Sequence, residues 1–337
     1  MRPGILAKIE KRFIVNVAKE SDIDQIQIVF AEAWPDPTIQ ARFLQRFRHS
    51  YFANPFSQGM ESIIVCRDGE RIVGFTGMMN FELWYHNQAL PATCAIDLAV
   101  LPAYQGLGIG CLLLHSLCER NVIAMEGNLN QAAQKLAERM GGREVSSCSA
   151  LRRWVRLRDV LPHWEDSAFV VEENAVIDER FDKLWVTGRE SYPVIGIRDQ
   201  ATLKWRYETH PLREFAIYAL RSGQDLVAYV ATTTEHTKGK ARKGILVDYL
   251  FAPLPDETIS KFISFILGGL ARKGVVCVDT FATYRKMVDV FQGLGFVRKK
   301  LTPKFLVYAN AMAEGKSDLW IGQNCHLTFG DSDFFFT

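Results

Sequence analysis

Three glycines at alternate positions follow an apolar run in the first half of the chain. Gly106, Gly108 and Gly110 come directly after residues 96–100, Ile-Asp-Leu-Ala-Val, and residues 111–120 then read as a helix. Without side chains, these positions leave backbone N–H groups uncovered at the start of a helix, where the helix dipole also favours negative charge. The spacing predicts a binding site for an anionic group such as a pyrophosphate.

This glycine turn differs from two common phosphate-binding motifs. No Gly-Lys-Ser/Thr follows it, as a Walker loop requires, and its third glycine comes two residues after the second rather than three, as in the Rossmann fingerprint. The alternative interpretation is a tight strand-to-helix turn that uses glycine only for its backbone freedom.

Two acidic residues near the turn are candidates for acid–base chemistry. Asp97 lies within the apolar run, and Glu82 follows a predicted strand. A carboxylate in either place can accept a proton from a reacting group. Strand alternation predicts that Asp97 and Ala99 face away from Ile96. An exposed hairpin end is the alternative explanation for Glu82.

The composition excludes several classes of protein. The 337 residues suffice for two domains, and a net charge of +2 gives no support for binding nucleic acid or an acidic membrane. Seven cysteines without a Cys-x-x-Cys pair predict buried thiols rather than disulfides, and the seven histidines lack metal-ligand spacing, so we expect no metal site. No apolar stretch is long enough for a secretory signal or a membrane span, and we expect a cytoplasmic protein.

The chain contains the same pattern twice. Each half has helices, a hairpin, a central strand, a helix, a strand, a helix and a final strand. The corresponding pairs are Tyr51 and Tyr207, the hairpin turns at Asp68-Gly69 and Ser222-Gly223, and Asp97 and Asp248. This repeat predicts two α+β domains, residues 1–158 and 166–337, joined by a linker between Arg158 and Asp166. In the first half, helices are expected near residues 21–33 and 38–51, with Ser21-Asp22 as an N-cap.

The two halves differ at the glycine turn. The second half has Ala-Pro-Leu-Pro-Asp-Glu-Thr at residues 252–258, where two prolines remove backbone donors and Asp256 and Glu257 repel phosphate. The second half is therefore not expected to bind a pyrophosphate in this way.

Residues 105–110, Gln-Gly-Leu-Gly-Ile-Gly, resemble the Gln/Arg-x-x-Gly-x-Gly/Ala turn that binds acyl-CoA in the GNAT superfamily of N-acetyltransferases. The whole chain resembles a tandem member of this superfamily, with one intact and one degenerate copy. The resemblance implies two tandem acyl-CoA N-acyltransferase domains, each a mixed, mainly antiparallel sheet flanked by helices.

The resemblance also implies where acyl-CoA, most simply acetyl-CoA, would lie. It would enter a gap between two parallel strands, the first at residues 96–100 and the second near 121–126. The implied cofactor-binding residues are Leu98, Ala99 and Val100 for the pantetheine arm, Gln105, Gly106, Leu107, Gly108, Ile109 and Gly110 for the pyrophosphate, and Asn130. Asn130 is equally explained as a cap of the following helix.

In such an enzyme the amine attacks the thioester directly. Asp97 is our first candidate for the base, because residues 97–100 also resemble a segment of aminoglycoside acetyltransferases whose aspartate meets the substrate amine, and Glu82 is the second. Against this, Asp248 occupies the same place in the half without the CoA turn, which favours a structural hydrogen bond. Family members often place a proton-donating tyrosine where this chain has Ala137, so the donor is Tyr85, Tyr104 or solvent.

Three functions remain open from the sequence. The first is an N-acetyltransferase that acts on a small-molecule or peptide amine, as a monomer or homodimer. The second is a tandem-fold aminoacyl-transferase of the peptidoglycan-bridge type, which the CoA turn and the near-neutral charge disfavour. The third is a non-catalytic protein that binds or senses acyl-CoA.

Overall fold

The computed structural model describes residues 11–332 except 122, 128–130, 147, 157–158, 160–163, 165–166, 238–240, 301–303 and 310–315. The first half contains β1 (Ile14–Val17), α1 (Ile23–Ala33), α2 (Pro37–Tyr51), β2 (Ile63–Asp68), β3 (Arg71–Tyr85), β4 (Gln88–Val100), α3 (Ile109–Arg120), β5 (Ile123–Gly127), α4 (Gln131–Arg139), β6 (Arg143–Glu144) and β7 (Ser149–Trp154).

The second half follows a similar order of elements, with β9 between its two leading helices and β16 near its end. It contains β8 (Val170–Glu173), α5 (Glu179–Gly188), β9 (Val194–Gly196), α6 (Gln200–Leu203), a π-helical turn (Lys204–Glu208), β10 (Ala216–Ser222), β11 (Asp225–His236), β12 (Arg242–Phe251), α7 (Asp256–Arg272), β13 (Val275–Ala282), α8 (Arg285–Gly293), β14 (Val297–Arg298), β15 (Phe305–Ala309) and β16 (Cys325–His326).

Two mixed sheets form the framework. The first has the order β1-β2-β3-β4-β5-β15-β6, with β9 paired to β3 and β16 paired to β9. The second has the order β14-β7-β13-β12-β11-β10-β8. Most neighbours are antiparallel, while β4–β5, β9–β16 and β12–β13 are parallel. The predicted α+β architecture with mainly antiparallel sheets is confirmed.

Each half contributes strands to the other sheet, and the second half also adds β9 and β16 to the first sheet. β7 precedes the linker in sequence but pairs with β13 and β14 in the second sheet. β15 comes from the second half but pairs with β5 and β6 in the first sheet. The predicted bounds 1–158 and 166–337 thus describe the repeat in the sequence, whereas the sheets cross that boundary. Most of the predicted linker lies outside the described residues.

The predicted hairpin turns are confirmed, but the predicted N-cap is not. The turns between β2 and β3 and between β10 and β11 contain Gly69 and Gly223, with φ of 61° and 60°. Asp22 does precede α1, but its side chain makes no capping bond to that helix. Its carboxylate instead accepts hydrogen bonds from the Lys19 backbone at 2.8 Å and from Arg67 at 2.6 Å.

Helices cover both faces of the first sheet, and two glycines of β3 mark those faces. A Cβ at Gly74 would crowd Ile109 and Leu113 of α3, whereas a Cβ at Gly77 would collide with Tyr51 of α2. Residues 74–77 pair in regular register with β2, so positions 74 and 77 point to opposite sides. We call these sides the α3 face and the α2 face. Among the described helices, none is long and apolar enough to cross a membrane.

Candidate active site

The glycine turn joins β4 to α3 in a strained but open conformation. After a short 3₁₀ turn (Pro102–Tyr104), Gly106 and Gly108 adopt φ of 80° and 88°, values that favour glycine over other residues. Gly108 is the N-cap of α3, whose first intrahelical bond runs from the Leu112 amide to the Gly108 carbonyl at 3.1 Å. The Gln105 side chain donates to the Val100 carbonyl at 3.2 Å and fastens the turn to the end of β4.

The backbone amides of this turn have no acceptor among the described residues. Those of residues 106–111 donate to no other residue in the part of the chain that the structure describes. Residues 105–107 are exposed. Free amides at the positive end of a twelve-residue helix form an anion-binding site.

Beside the turn, β4 and β5 separate. They pair only through three residue pairs, which are Ala92 with Ile123, Thr93 with Ala124 and Cys94 with Met125. Beyond these, residues 95–100 keep β3 on one side and have no described strand on the other, while β5 stays paired with β15 up to Gly127. We call the opening between residues 95–100 and the end of β5 the gap. Unpaired strand edges offer backbone donors and acceptors to an extended ligand.

Leu98, Ala99 and Val100 all lie on this free edge of β4. Ala99 is buried, while Leu98 and Val100 are half-buried. Asn130, the remaining residue predicted to bind the cofactor, lies outside the described residues.

Asp97 sits in a β-bulge that faces the gap. Ile96 lies opposite Gly77 and Ala99 opposite Phe75, so β4 has one residue more than β3 between these pairs. Asp97 has a φ of 58°, in the left-handed region. The predicted alternation along β4 is therefore wrong here, because the bulge places Ile96 and Ala99 on the same face.

The Asp97 carboxylate is held by two residues of α2. Arg46 Nη2 lies 2.5 Å from Oδ1, and the Tyr51 hydroxyl donates to Oδ2 at 2.7 Å. The side chains of Asp97 and Arg46 are almost completely buried. The Tyr51 ring passes directly over Gly77, where any side chain would block it. The carboxylate thus points to the α2 face.

A family model described as an acetyltransferase (GNAT) domain matches residues 59–141. This range contains the hairpin, the bulge, the gap and the glycine turn. This part of the chain resembles a GNAT domain. No protein of curated function matches the sequence.

Solved structures share the fold over most of the chain. A GCN5-related N-acetyltransferase from Anabaena variabilis has a TM-score of 0.67 at 13% identity, covering 88% of this chain and 73% of that one. A probable N-acyltransferase of unknown function from Enterococcus faecalis has a TM-score of 0.65 at 12% identity, covering 88% and 72%. Saccharomyces cerevisiae N-myristoyltransferase, solved with bound myristoyl-CoA and inhibitors, has a TM-score of 0.57 at 12% identity, covering 94% and 86%. At these identities the likeness shows the fold alone.

The second half of the chain has a different turn at the matching place. α7 begins directly after Pro255, with Asp256 and Glu257 in its first turn. Asp256 forms an ion pair with Lys286 at 3.0 Å. None of residues 252–258 is a glycine. Carboxylates at this helix start occupy the electrostatic position that a phosphate would need.

Asp248 of the second half is held much as Asp97 is, yet its backbone differs. Its carboxylate pairs with Arg198 at 3.0 Å and accepts from Tyr229 at 2.6 Å. The neighbouring bulge falls at Val247, and Asp248 does not have a positive φ. The left-handed conformation at this aspartate is thus confined to the half that carries the glycine turn.

Glu82 lies away from the gap. It is opposite Pro91, five positions along β3 from Gly77, which corresponds to about 17 Å along the strand. It lines a separate cavity of about 630 Å³ together with Glu61 and Arg120. The structure therefore does not bring Glu82 and Asp97 to one acceptor site.

The candidate proton donors are also dispersed. Tyr85 is at the far end of β3, where burial raises the pKa of its hydroxyl. Tyr104 lies in the turn before the glycines and contacts the ring of Phe13 at 6.3 Å. His115 of α3 is half-exposed and pairs with Glu119 at 3.5 Å.

Sequence reasoning missed two residues that define the site. Arg46 appeared as one more charge on an amphipathic helix, and no spacing linked it to Asp97. Tyr308 reaches the first sheet on the exchanged strand β15, and its ring lies against Gly142, whose Cβ would also meet the Ala137 carbonyl. Tyr308 thus lies near Ala137, the position at which family members often have a proton-donating tyrosine. It reaches this place because β15 pairs with the first sheet.

Proposed function

We propose that the chain is an acyl-CoA-dependent N-acyltransferase that transfers an acetyl or other short acyl group to a primary amine. The observation that carries this proposal is the set of free backbone amides at the start of α3, directly beside the gap between β4 and β5. The pyrophosphate of acyl-CoA would accept hydrogen bonds from the free amides of residues 106–110, whereas the Gln105 amide already donates to the Pro102 carbonyl. Its pantetheine arm would then pair with the free edge of Leu98, Ala99 and Val100.

The reaction would be a direct attack of the amine on the thioester. The amine nitrogen forms a bond to the carbonyl carbon, the carbon–sulfur bond breaks, and CoA leaves as a thiolate that takes a proton from solvent. The amine must lose a proton during this step. We propose Asp97 as the base that accepts it, directly or through one water.

Three features support Asp97 over Glu82. Asp97 faces the gap, whereas Glu82 lies far along β3. Its left-handed φ is a local strain of the kind found at functional sites, and Asp248 lacks it. Arg46 and Tyr51 fix its orientation while leaving part of its acceptor capacity, since a carboxylate has about four lone-pair sites.

A second candidate function is binding of acyl-CoA without turnover. It is favoured by one observation, that both Asp97 oxygens are already bonded within the protein, as those of Asp248 are. This arrangement also suits a purely structural aspartate.

Two assays separate these functions. Isothermal titration with acetyl-CoA tests binding, and release of free thiol in the presence of an amine panel tests transfer. The proposed enzyme binds acetyl-CoA and releases thiol only when an acceptor is present. Binding with no release on any amine would favour the non-catalytic function, and no binding of any acyl-CoA would contradict both.

A further inference from the structure

The C-terminal segment 328–332 lies against the open end of β5. Ser332 Cβ is 3.0 Å from the position that a Cβ on Gly127 would take. The strand register shows which face this is. Residues opposite each other in neighbouring strands share a face, and Met125, Cys94 and Met79 are paired in this way. Because alternate residues of a strand also share a face, Gly127 of β5 lies on the same side as Gly77 of β3. Ser332 therefore lies on the α2 face.

Segment 328–332 and Tyr51 thus flank the gap on the same face. Tyr51 covers the β3–β4 side, and Ser332 covers the β5 side. The α3 face is occupied by α3 itself, at whose start the pyrophosphate would bind. An acceptor amine would then approach from the α2 face, between these two walls.

Buried charges pin the segment in place. Arg198 Nη2 lies 2.7 Å from Asp331 Oδ2, while its Nε lies 3.0 Å from Asp248 Oδ1, and all three side chains are at most 5% exposed. The Asp331 carboxylate also accepts from the Thr328 backbone at 2.8 Å. Arg206 donates to the Gly330 carbonyl, so the segment is held from several directions.

Such a network is a poor way to gain stability. Removing charges from water carries a large desolvation cost, and well-packed apolar residues of similar volume are often as stable or more so. What the ion pairs provide is a defined position. The network joins Asp248 of the second sheet to the residues that contact Gly127 of the first.

We propose that Arg198 and Asp331 are positioning residues that hold segment 328–332 as one wall of the acceptor cleft. The degenerate half then contributes to the site through this segment, although it has no CoA turn of its own. The inference rests on the proposed function.

The test is Asp331→Asn in the full chain, with Asp279→Asn as the matched control. The Asp279 carboxylate is as buried as that of Asp331, and it forms an ion pair at 2.6 Å with the partly exposed Arg152, on β13 and β7 of the second sheet. We expect Asp331→Asn to lower kcat/KM for the acceptor about tenfold, mainly through a higher KM, because a displaced wall of the cleft positions the acceptor less well. Acetyl-CoA affinity stays within about twofold, since the glycine turn is untouched. Asp279→Asn changes neither value.

A second variant and a second readout protect the test against misfolding. Ser332→Gly leaves the ion pairs intact and removes the contact to Gly127 together with the hydrogen bond from the Ser332 hydroxyl to the Phe329 carbonyl. We expect it to raise the acceptor KM about threefold. Hydrogen exchange of the free protein should quicken in residues 328–332 and 123–127 for Asp331→Asn, and not for the control. Equal effects of Asp331→Asn and Asp279→Asn on KM and exchange would overturn the proposal. If the unaltered chain binds no acyl-CoA, the proposed function is wrong. Hydrogen exchange would still show whether Arg198 and Asp331 hold segment 328–332 in place.

Discussion

Arg46 of α2 and Asp97 of β4 form a buried ion pair, with Nη2 2.5 Å from Oδ1. The contact joins the helix on the α2 face to the bulge that opens toward the gap. Tyr51, one and a half turns further along α2, bonds to the other carboxylate oxygen at 2.7 Å. The helix therefore fixes the orientation of Asp97, the residue proposed as the base.

Replacing Asp97 tests its role as the base. We expect Asp97→Asn to lower kcat/KM by roughly 10²–10³-fold, the usual contribution of general-base catalysis. Acetyl-CoA affinity should hardly change. Steady-state thiol release and titration calorimetry measure the two quantities. Glu82→Gln is the control, and its kcat/KM should stay within about threefold of the unaltered chain because Glu82 lies far from the gap. Full activity of Asp97→Asn would instead support a purely structural role for this aspartate.

Gly77 is the position at which the Tyr51 ring needs space. A methyl group there would overlap Tyr51, so we expect Gly77→Ala to lower the free energy of unfolding by about 1–3 kcal/mol and to disturb the Asp97 contact. Gly293→Ala, with no atom near its Cβ, is the control and should be neutral. Urea denaturation followed by fluorescence compares the two. A Gly77→Ala protein as stable as the control would show that the ring can move aside.

Buried histidines predict a loss of stability at mildly acidic pH. Burial lowers the pKa of His49 to about 4, and burial likewise lowers the pKa of His326 to about 3. The unfolded chain takes up these protons near pH 6.5, and the folded chain does not. Stability is therefore fully present above pH 6.5 and falls as the pH drops toward 4. Between pH 6.5 and 5 each histidine lowers the free energy of unfolding by roughly 2 kcal/mol, at about 1.36 kcal/mol per pH unit.

Denaturation at pH 7, 6 and 5 measures this slope. His326→Phe should reduce the pH dependence of the free energy of unfolding by the contribution of one histidine. The phenyl ring would still pack against Tyr192, whose ring centroid is 4.4 Å from that of His326. His236→Phe, at an exposed position, is the control. An unchanged slope in His326→Phe would contradict the prediction.

The local features of the fold could be read from the sequence. Glycines at the hairpin turns and at 106–110 have backbone requirements that identify them, and the repeat showed the element order of both halves. The bulge at Asp97 was not predictable, because it depends on register against β3 and on Arg46 approaching from α2. The exchange of β7 and β15 was missed for a similar reason. Both strands carry ordinary apolar patterns, and the choice of sheet is made by tertiary contacts.

The most direct test of the account is titration of acetyl-CoA into the unaltered chain and into Gly106→Asp. A side chain at Gly106 meets no atom within 4 Å, so the variant adds only backbone strain and a negative charge. Gly106→Asn reproduces the strain without the charge, and Gly223→Asp places the same change in the hairpin turn of the second half. We expect one acetyl-CoA per chain, an affinity loss of about 100-fold for Gly106→Asp, a smaller loss for Gly106→Asn, and none for Gly223→Asp. Absence of binding to the unaltered chain, or equal affinity of Gly106→Asp, would contradict the assignment of residues 105–110 as the pyrophosphate site.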